Sequence, residues 1–301
     1  MARSGLRSLA ALFLAGLTLV AAGCGGGESS SAGGQPSTLR FAVTDLQGLE
    51  ELKREFGPFV EELERRSGLQ VEFFPVTDRT AASAALEADR VDMVFTGPAE
   101  YVVMRERTAV QPVVSINRAD YHSCVYTNAS SGARELSDLA GQKIAMSDVG
   151  STSGHLGPSQ LFADAGVRMP GGVEVLTVGD TFHQALKRED VAAVGIGCHD
   201  YEEAMEEEDD PAQYRVIADG PQLPADVVVA QEGTNPALVA KVRDAFAKHW
   251  GTLLPAMLKG DDNQKFEGAT LEPAPRDSDY DPVRQMYRAI GVDDFSRFVG
   301  S

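Results

Sequence analysis

Positive charge is in short supply: 27 Lys and Arg stand against 45 Asp and Glu, a formal net charge of −18. A polyanion needs a basic face, so nucleic acid is excluded as a partner. A small anion would gain no long-range steering from this field, and any anion site must therefore work through short-range hydrogen bonds and local dipoles. Cysteine is scarce, three in 301 residues, and no group of Cys and His has metal-site spacing, so neither a metal nor another cofactor is expected. No permanent membrane span is expected either. The apolar run at 9–22 is shorter than the roughly 20 residues that cross a bilayer, and its charge is one-sided.

What that run does have is Arg3 and Arg7 before it and small residues after it, ending at Cys24. This is the pattern of a secretion signal, expected to cover residues 1–23. The stretch Val20-Ala21-Ala22-Gly23-Cys24 resembles the lipobox of bacterial lipoproteins, with Ala21 where Leu is usual. The resemblance implies acylation of Cys24 and an extracytoplasmic, lipid-anchored protein. Residues 24–37 are mostly Gly, Ser and Gln and read as a flexible tether spanning roughly 20 Å. Cys124 and Cys198 remain as an even pair in an oxidising compartment, where a disulfide is the ordinary outcome and a free thiol pair the alternative.

About 260 residues follow, more than one core comfortably serves, so two lobes are expected. Short β-like runs at 39–43, 71–74 and 93–95 alternate with helical spacing at 49–66 and 81–88. Gly68 stops the first helix, and Gly97-Pro98 closes the third strand. The rhythm restarts after Val113, with strands at 124–126, 143–146, 173–176 and 193–196 and helices after Gly154 and at 182–187. The acidic run 206–210 reads as a solvated helix end or loop. A β-rich segment at 226–230 and helices at 237–249 and 283–290 complete the chain. The apolar face of 237–249 needs a partner, and a return to the first lobe supplies one. The expected division is 38–118 plus 225–301 against 119–224, with two crossings that make a hinge and a cleft.

The chemistry concentrates at residues 147–158, Ser-Asp-Val-Gly-Ser-Thr-Ser-Gly-His-Leu-Gly-Pro, between a strand and a helix. Free N–H groups at a helix start carry partial positive charge, and Ser151, Thr152 and Ser153 add hydroxyls that can turn onto anion oxygens. Simple capping by Ser151 or Thr152 is the competing reading. Thr152 sits where a nucleophile elbow would need Ser, and the Lys of a Walker loop is absent.

Gly150-Ser151-Thr152-Ser153-Gly154 after Gly141-Gln142-Lys143-Ile144-Ala145 resembles the phosphonate, phosphite and phosphate-binding proteins of ABC importers. So do Thr77-Asp78, Val91-Asp92 with Gly97-Pro98 and Tyr101, Tyr121 with Ser123, Phe182-His183, and 223–226, in the family's order. The resemblance implies an α/β, two-lobed periplasmic-binding-protein fold of the Venus-flytrap, type II-like kind, with a hinge and an interlobe ligand cleft. It also implies no enzymatic activity. Oxyanion oxygens would rest on Ser151, Thr152 and Ser153, closed over by Tyr121 and His183, and the closed form would dock on permease subunits. Asp226 matches a family acid near the cleft, where it would meet a ligand proton or amine, or else cap the hinge. Arg79 replaces a usual Tyr and, if it faces the cleft, offers a bidentate guanidinium. Tyr101, on an apolar helical stretch, and His155, beside the loop, are weaker candidates. A sensor for a membrane receptor is one alternative function, and a lipid-anchored hydrolase using Ser151 or Ser153 with a His is another.

Overall fold

The computed structural model describes residues 37–46, 48–77 and 81–300. The signal, Cys24, the tether and Arg79 lie outside the described residues. In chain order come β1 (Thr38–Val43), α1 (Leu49–Ser67), β2 (Gln70–Phe73), α2 (Ala81–Glu87), β3 (Met93–Thr96), α3 (Pro98–Arg107) and β4 (Val110–Asn117). There follow β5 (Ser123–Asn128), β6 (Lys143–Met146), a π-helical turn (Thr152–Leu156), α4 (Gly157–Asp164), β7 (Glu174–Thr177), α5 (Phe182–Lys187), β8 (Ala193–Gly197), α6 (Cys198–Glu206) and β9 (Tyr214–Asp219). The chain closes with β10 (Asp226–Gln231), α7 (Pro236–Met257), β11 (Thr270–Glu272) and α8 (Asp281–Ala289).

Two separate sheets result. The first has the order β11-β4-β10-β3-β1-β2, and the second β7-β6-β8-β5-β9. In the first, β1 runs parallel to β2 and β3, whereas β10 is antiparallel to both β3 and β4. In the second, β6 runs parallel to β7 and β8, and β5 antiparallel to β8 and β9. The parallel core of each sheet follows from the strand–helix alternation, because parallel neighbours need a crossover and the helix supplies it. Among the described residues, two stretches of chain pass between the sheets, 118–122 from β4 to β5 and 220–225 from β9 to β10.

The helices are placed by their apolar faces. Leu52, Phe56, Phe59, Val60 and Leu63 of α1 are buried with Leu238, Val242 and Phe246 of α7 over one face of the first sheet. Gly68 ends α1 at φ 67°, a left-handed turn that lets its N–H reach the Glu64 carbonyl. Helix α7 therefore does return to the first sheet, and it continues through a kink at His249 as far as Met257. On the opposite face, α3 buries Tyr101, Val102, Val103 and Met104 with Tyr280, Val283, Met286 and Tyr287 from the C-terminal end. Two further cores flank the second sheet.

Candidate anion site between the two sheets

In each sheet a helix begins at the carboxyl end of a parallel strand, the edge where α/β proteins present their free N–H groups. In the first sheet, β3 passes through Gly97 into α3. A Cβ at Gly97 would lie 2.6 Å from Glu100 Oε2, so a larger residue there would require the Glu100 side chain to shift. In the second sheet, β6 passes through residues 147–151 into the π-helical turn and α4.

These two helix starts meet. The Ala99 N–H, in the first turn of α3, donates to Thr152 Oγ1 at 3.1 Å, and the Tyr121 hydroxyl is hydrogen-bonded with Thr152. Thr152 is 4% exposed and Tyr121 3%. Ser151 caps the turn, its Oγ accepting from the Gly154 N–H at 3.2 Å. The Ser153 carbonyl accepts from Ser123 Oγ at 2.8 Å. His155 is buried, which holds its pKa below the ordinary value, and as a neutral ring its Nδ1 can accept the Gly150 N–H at 3.4 Å. Both Ser151 Oγ and the near nitrogen of His155 thus serve the loop's own backbone rather than each other.

Beneath Tyr121 lies a charge pair that sequence inspection missed. Arg118 Nε and Nη2 each donate to one oxygen of Asp226, both at 2.7 Å, with the pair buried. The Arg118 guanidinium stacks 4.0 Å from the Tyr121 ring centre and 5.0 Å from that of Phe266. Burial alone would lower the Arg118 pKa, but the Asp226 carboxylate reverses this and raises it. Burial raises the pKa of Tyr121, which stays a neutral phenol. Asp226 therefore spends both oxygens on Arg118.

In the second sheet's half, α6 carries His199 and Asp200 directly after Cys198. Both feel the charges of Arg118 and Lys265, and Lys265 pairs with Asp45 at 3.0 Å. Their side chains remain 30% and 33% exposed, and burial is nonetheless the chief cause of their shifts. His199 is held down to about 3 and Asp200 up to about 6. The buried hydroxyls of Thr44, just past β1, and Thr96, the last residue of β3, bond each other at 2.9 Å. A threonine at the carboxyl end of a parallel strand was the available signal for this pair; Arg118 and Lys265 offered none.

The structure does not bring every candidate to this place. His183 is buried beside the second sheet, with Nδ1 bonded to Tyr126 Oη and Nε2 to Glu208 Oε1, each at 3.0 Å. Glu208 also holds Lys187, so part of the acidic run 206–210 serves structure rather than solvent. Tyr101 is core, its ring 4.3 Å from Tyr280 and its hydroxyl 2.8 Å from Asp277 Oδ1. Cys124 and Cys198 form a disulfide from β5 to the first residue of α6. His122, Asp219 and these two cysteines place donor atoms within 4.8 Å of one another. With both sulfurs joined, only an imidazole and a carboxylate remain, short of the four donors a zinc site takes.

A family model described as the periplasmic substrate-binding protein of phosphonate ABC transporters matches residues 41–269. The phosphate-import protein PhnD of Mycolicibacterium smegmatis is 25% identical over 253 residues, 77% of this chain and 79% of that protein. The phosphonates-binding periplasmic protein of Escherichia coli is 23% identical, covering 72% of this chain and 68% of its own length. Among solved structures, a binding protein of a phosphonate ABC transporter from Pseudomonas aeruginosa superposes with a TM-score of 0.65 at 20% identity, over 83% of this chain and 85% of that one. PhnD1 of Prochlorococcus marinus, solved with methylphosphonate, gives 0.65 at 16% identity over 85% and 99%. At these identities the superpositions establish the fold, the mixed α/β two-sheet architecture of periplasmic binding proteins. The curated relatives are transport proteins that bind substrate, not enzymes. With the matched family spanning more than half its residues, the chain belongs to the periplasmic substrate-binding proteins of phosphonate ABC transporters.

Proposed function

We propose that this protein, anchored outside the cytoplasm through an acylated Cys24, captures a small tetrahedral oxyanion of the phosphonate, phosphite or phosphate class and delivers it to an ABC permease. The lobes would be 38–118 plus 225–301 and 119–224, moving about the crossings at 118–122 and 220–225. The single observation carrying the reading is the meeting of the α3 start with Thr152. Two helix N-termini aimed at one point supply several N–H donors and partial positive charge without a full cationic partner. Thr152, Tyr121 and Ser153 would line the site, Ser151 would hold its loop, and Asp226 would act through Arg118 rather than touch the ligand. The M. smegmatis relative is named for phosphate import and the P. marinus structure holds methylphosphonate, which is the chemistry this donor set suits. The signal at 1–23 and the lipobox-like residues before Cys24 support the anchor.

A ligand that binds only the folded protein must raise its melting temperature. In a thermal-shift panel of phosphate, phosphite, methylphosphonate, 2-aminoethylphosphonate and sulfate, at least one of the phosphorus oxyanions is expected to give a saturable rise larger than that of sulfate. No rise with any of them would overturn the assignment.

A further inference from the structure

We propose that the C-terminal segment 295–300 is a clasp that holds the anion loop against the start of α3, with Phe298 as its positioning residue. The inference rests on the oxyanion reading for its binding readout. The clasp is rooted in the half that carries the first sheet. Arg107, in the last turn of α3, donates from Nε to the Ser296 carbonyl at 2.7 Å and from Nη2 to the Phe298 carbonyl. Phe295 is buried 5.5 Å from the Tyr287 ring, and Phe298 meets the same ring edge to face at 4.8 Å.

Its reach is into the other half. Gly150, in the loop after β6, has φ +94°, and a Cβ there would lie 2.7 Å from Phe298 Cε1 and 3.1 Å from Cζ. The ring edge therefore rests on the Gly150 backbone, two residues before Thr152. Glycine at positive φ is otherwise the freest point of the loop, and the ring over it removes that freedom before a ligand arrives, which is preorganisation. Helix α8 lies against the π-helical turn and α4 as well. Because the clasp is rooted in one half and touches the other, its contact exists only where the halves are together. It therefore favours closure by a differential contact.

The test uses Phe298→Ala, Phe298→Leu and Val299→Ala, the last at a neighbouring side chain that is 72% exposed. Inorganic phosphate and methylphosphonate are the probes, with affinity from calorimetry and dissociation from stopped flow. Small-angle scattering without probe measures the radius of gyration. Phe298→Ala is expected to weaken the probe that the wild type binds by about 5- to 30-fold, mostly through faster dissociation, and to enlarge the radius. Phe298→Leu should recover part of both, and Val299→Ala should match the wild type. Affinity and dissociation within twofold of wild type in Phe298→Ala, or an equal loss in Val299→Ala, overturns the clasp. If Phe298→Ala does not fold, Phe298→Leu decides by the same criteria, a partial loss supporting the clasp and none overturning it. If the wild type binds neither probe, the oxyanion reading has failed on its own. Scattering then judges the clasp, a larger radius in Phe298→Ala supporting it and an unchanged one overturning it.

Discussion

Thr152 receives, on its hydroxyl, an N–H from the other half of the protein. Thr152→Val keeps the shape of that side chain but removes the oxygen that receives the Ala99 N–H. Calorimetry with the best-binding oxyanion should show a loss of about 1 to 3 kcal/mol; unchanged affinity would move the site elsewhere. Asp200 allows a test through pH. Its folded value of about 6 exceeds the ordinary 3.8, so between these the folded protein holds a proton that the unfolded chain has lost. Stability contributed by Asp200 therefore falls as pH rises through that window, and charging a carboxyl that folding has buried is what costs it. His199 acts in the opposite sense: below 6.5 the unfolded chain gains a proton that the folded ring refuses until about 3. Asp200→Asn isolates the first effect, and its melting temperature relative to wild type should be higher at pH 7 than at pH 4. A constant difference would place Asp200 in open solvent. At this scale the sequence was legible only where a residue stood in a recognisable local pattern, as the loop at 151–153 does. Arg118 and Asp226 are 108 positions apart, and only folding makes them a pair. His183 had the opposite fate, being conspicuous in sequence and then engaged by Tyr126 and Glu208.

Among the elements, periodicity served well for the helices that bury one face. The helical spacing at 49–66 became α1 (Leu49–Ser67), and the segment at 283–290 became α8 (Asp281–Ala289). It served poorly for β9 and β11, which lie at sheet edges where partial exposure blurs the alternation. Nor did it show α6, whose only buried residue is Cys198. The π-helical turn was hidden too, since it rests on i→i+5 backbone bonds such as Leu156 N–H to the Ser151 carbonyl at 2.9 Å, which side-chain periodicity does not register. The disulfide fastens the start of α6 to β5 across 74 positions. Removing a crosslink enlarges the unfolded ensemble, so reduction should lower the unfolding free energy by about 2 to 5 kcal/mol. Urea titrations with and without a phosphine reductant would measure it, and coincident curves would mean that the native state does not depend on the bond. Because α6 also carries His199 and Asp200, reduction should loosen the placement of both.

For the molecule as a whole, one restart of the strand–helix rhythm was enough to foretell two sheets, since each run needs its own crossovers and core. The net charge of −18 has a kinetic consequence. An incoming anion meets a repulsive field, which salt screens over a Debye length of about 10 Å at 0.1 M. Association of an oxyanion should therefore quicken as ionic strength rises from about 0.01 to 0.1 M, the reverse of ordinary electrostatic steering. A stopped-flow rate that falls with salt would instead reveal a locally positive entrance. The Arg118–Asp226 pair bears on motion. Arg118 follows the last residue of β4 and Asp226 opens β10, so this doubly bonded pair rivets the two connecting strands side by side. In the proposed motion of the lobes, two connections fixed together would act as one axle, leaving a swing with a single degree of freedom and little scope for sliding or twisting. Spectroscopic reporters attached anywhere on the protein should then follow the same transition, with one midpoint and one rate.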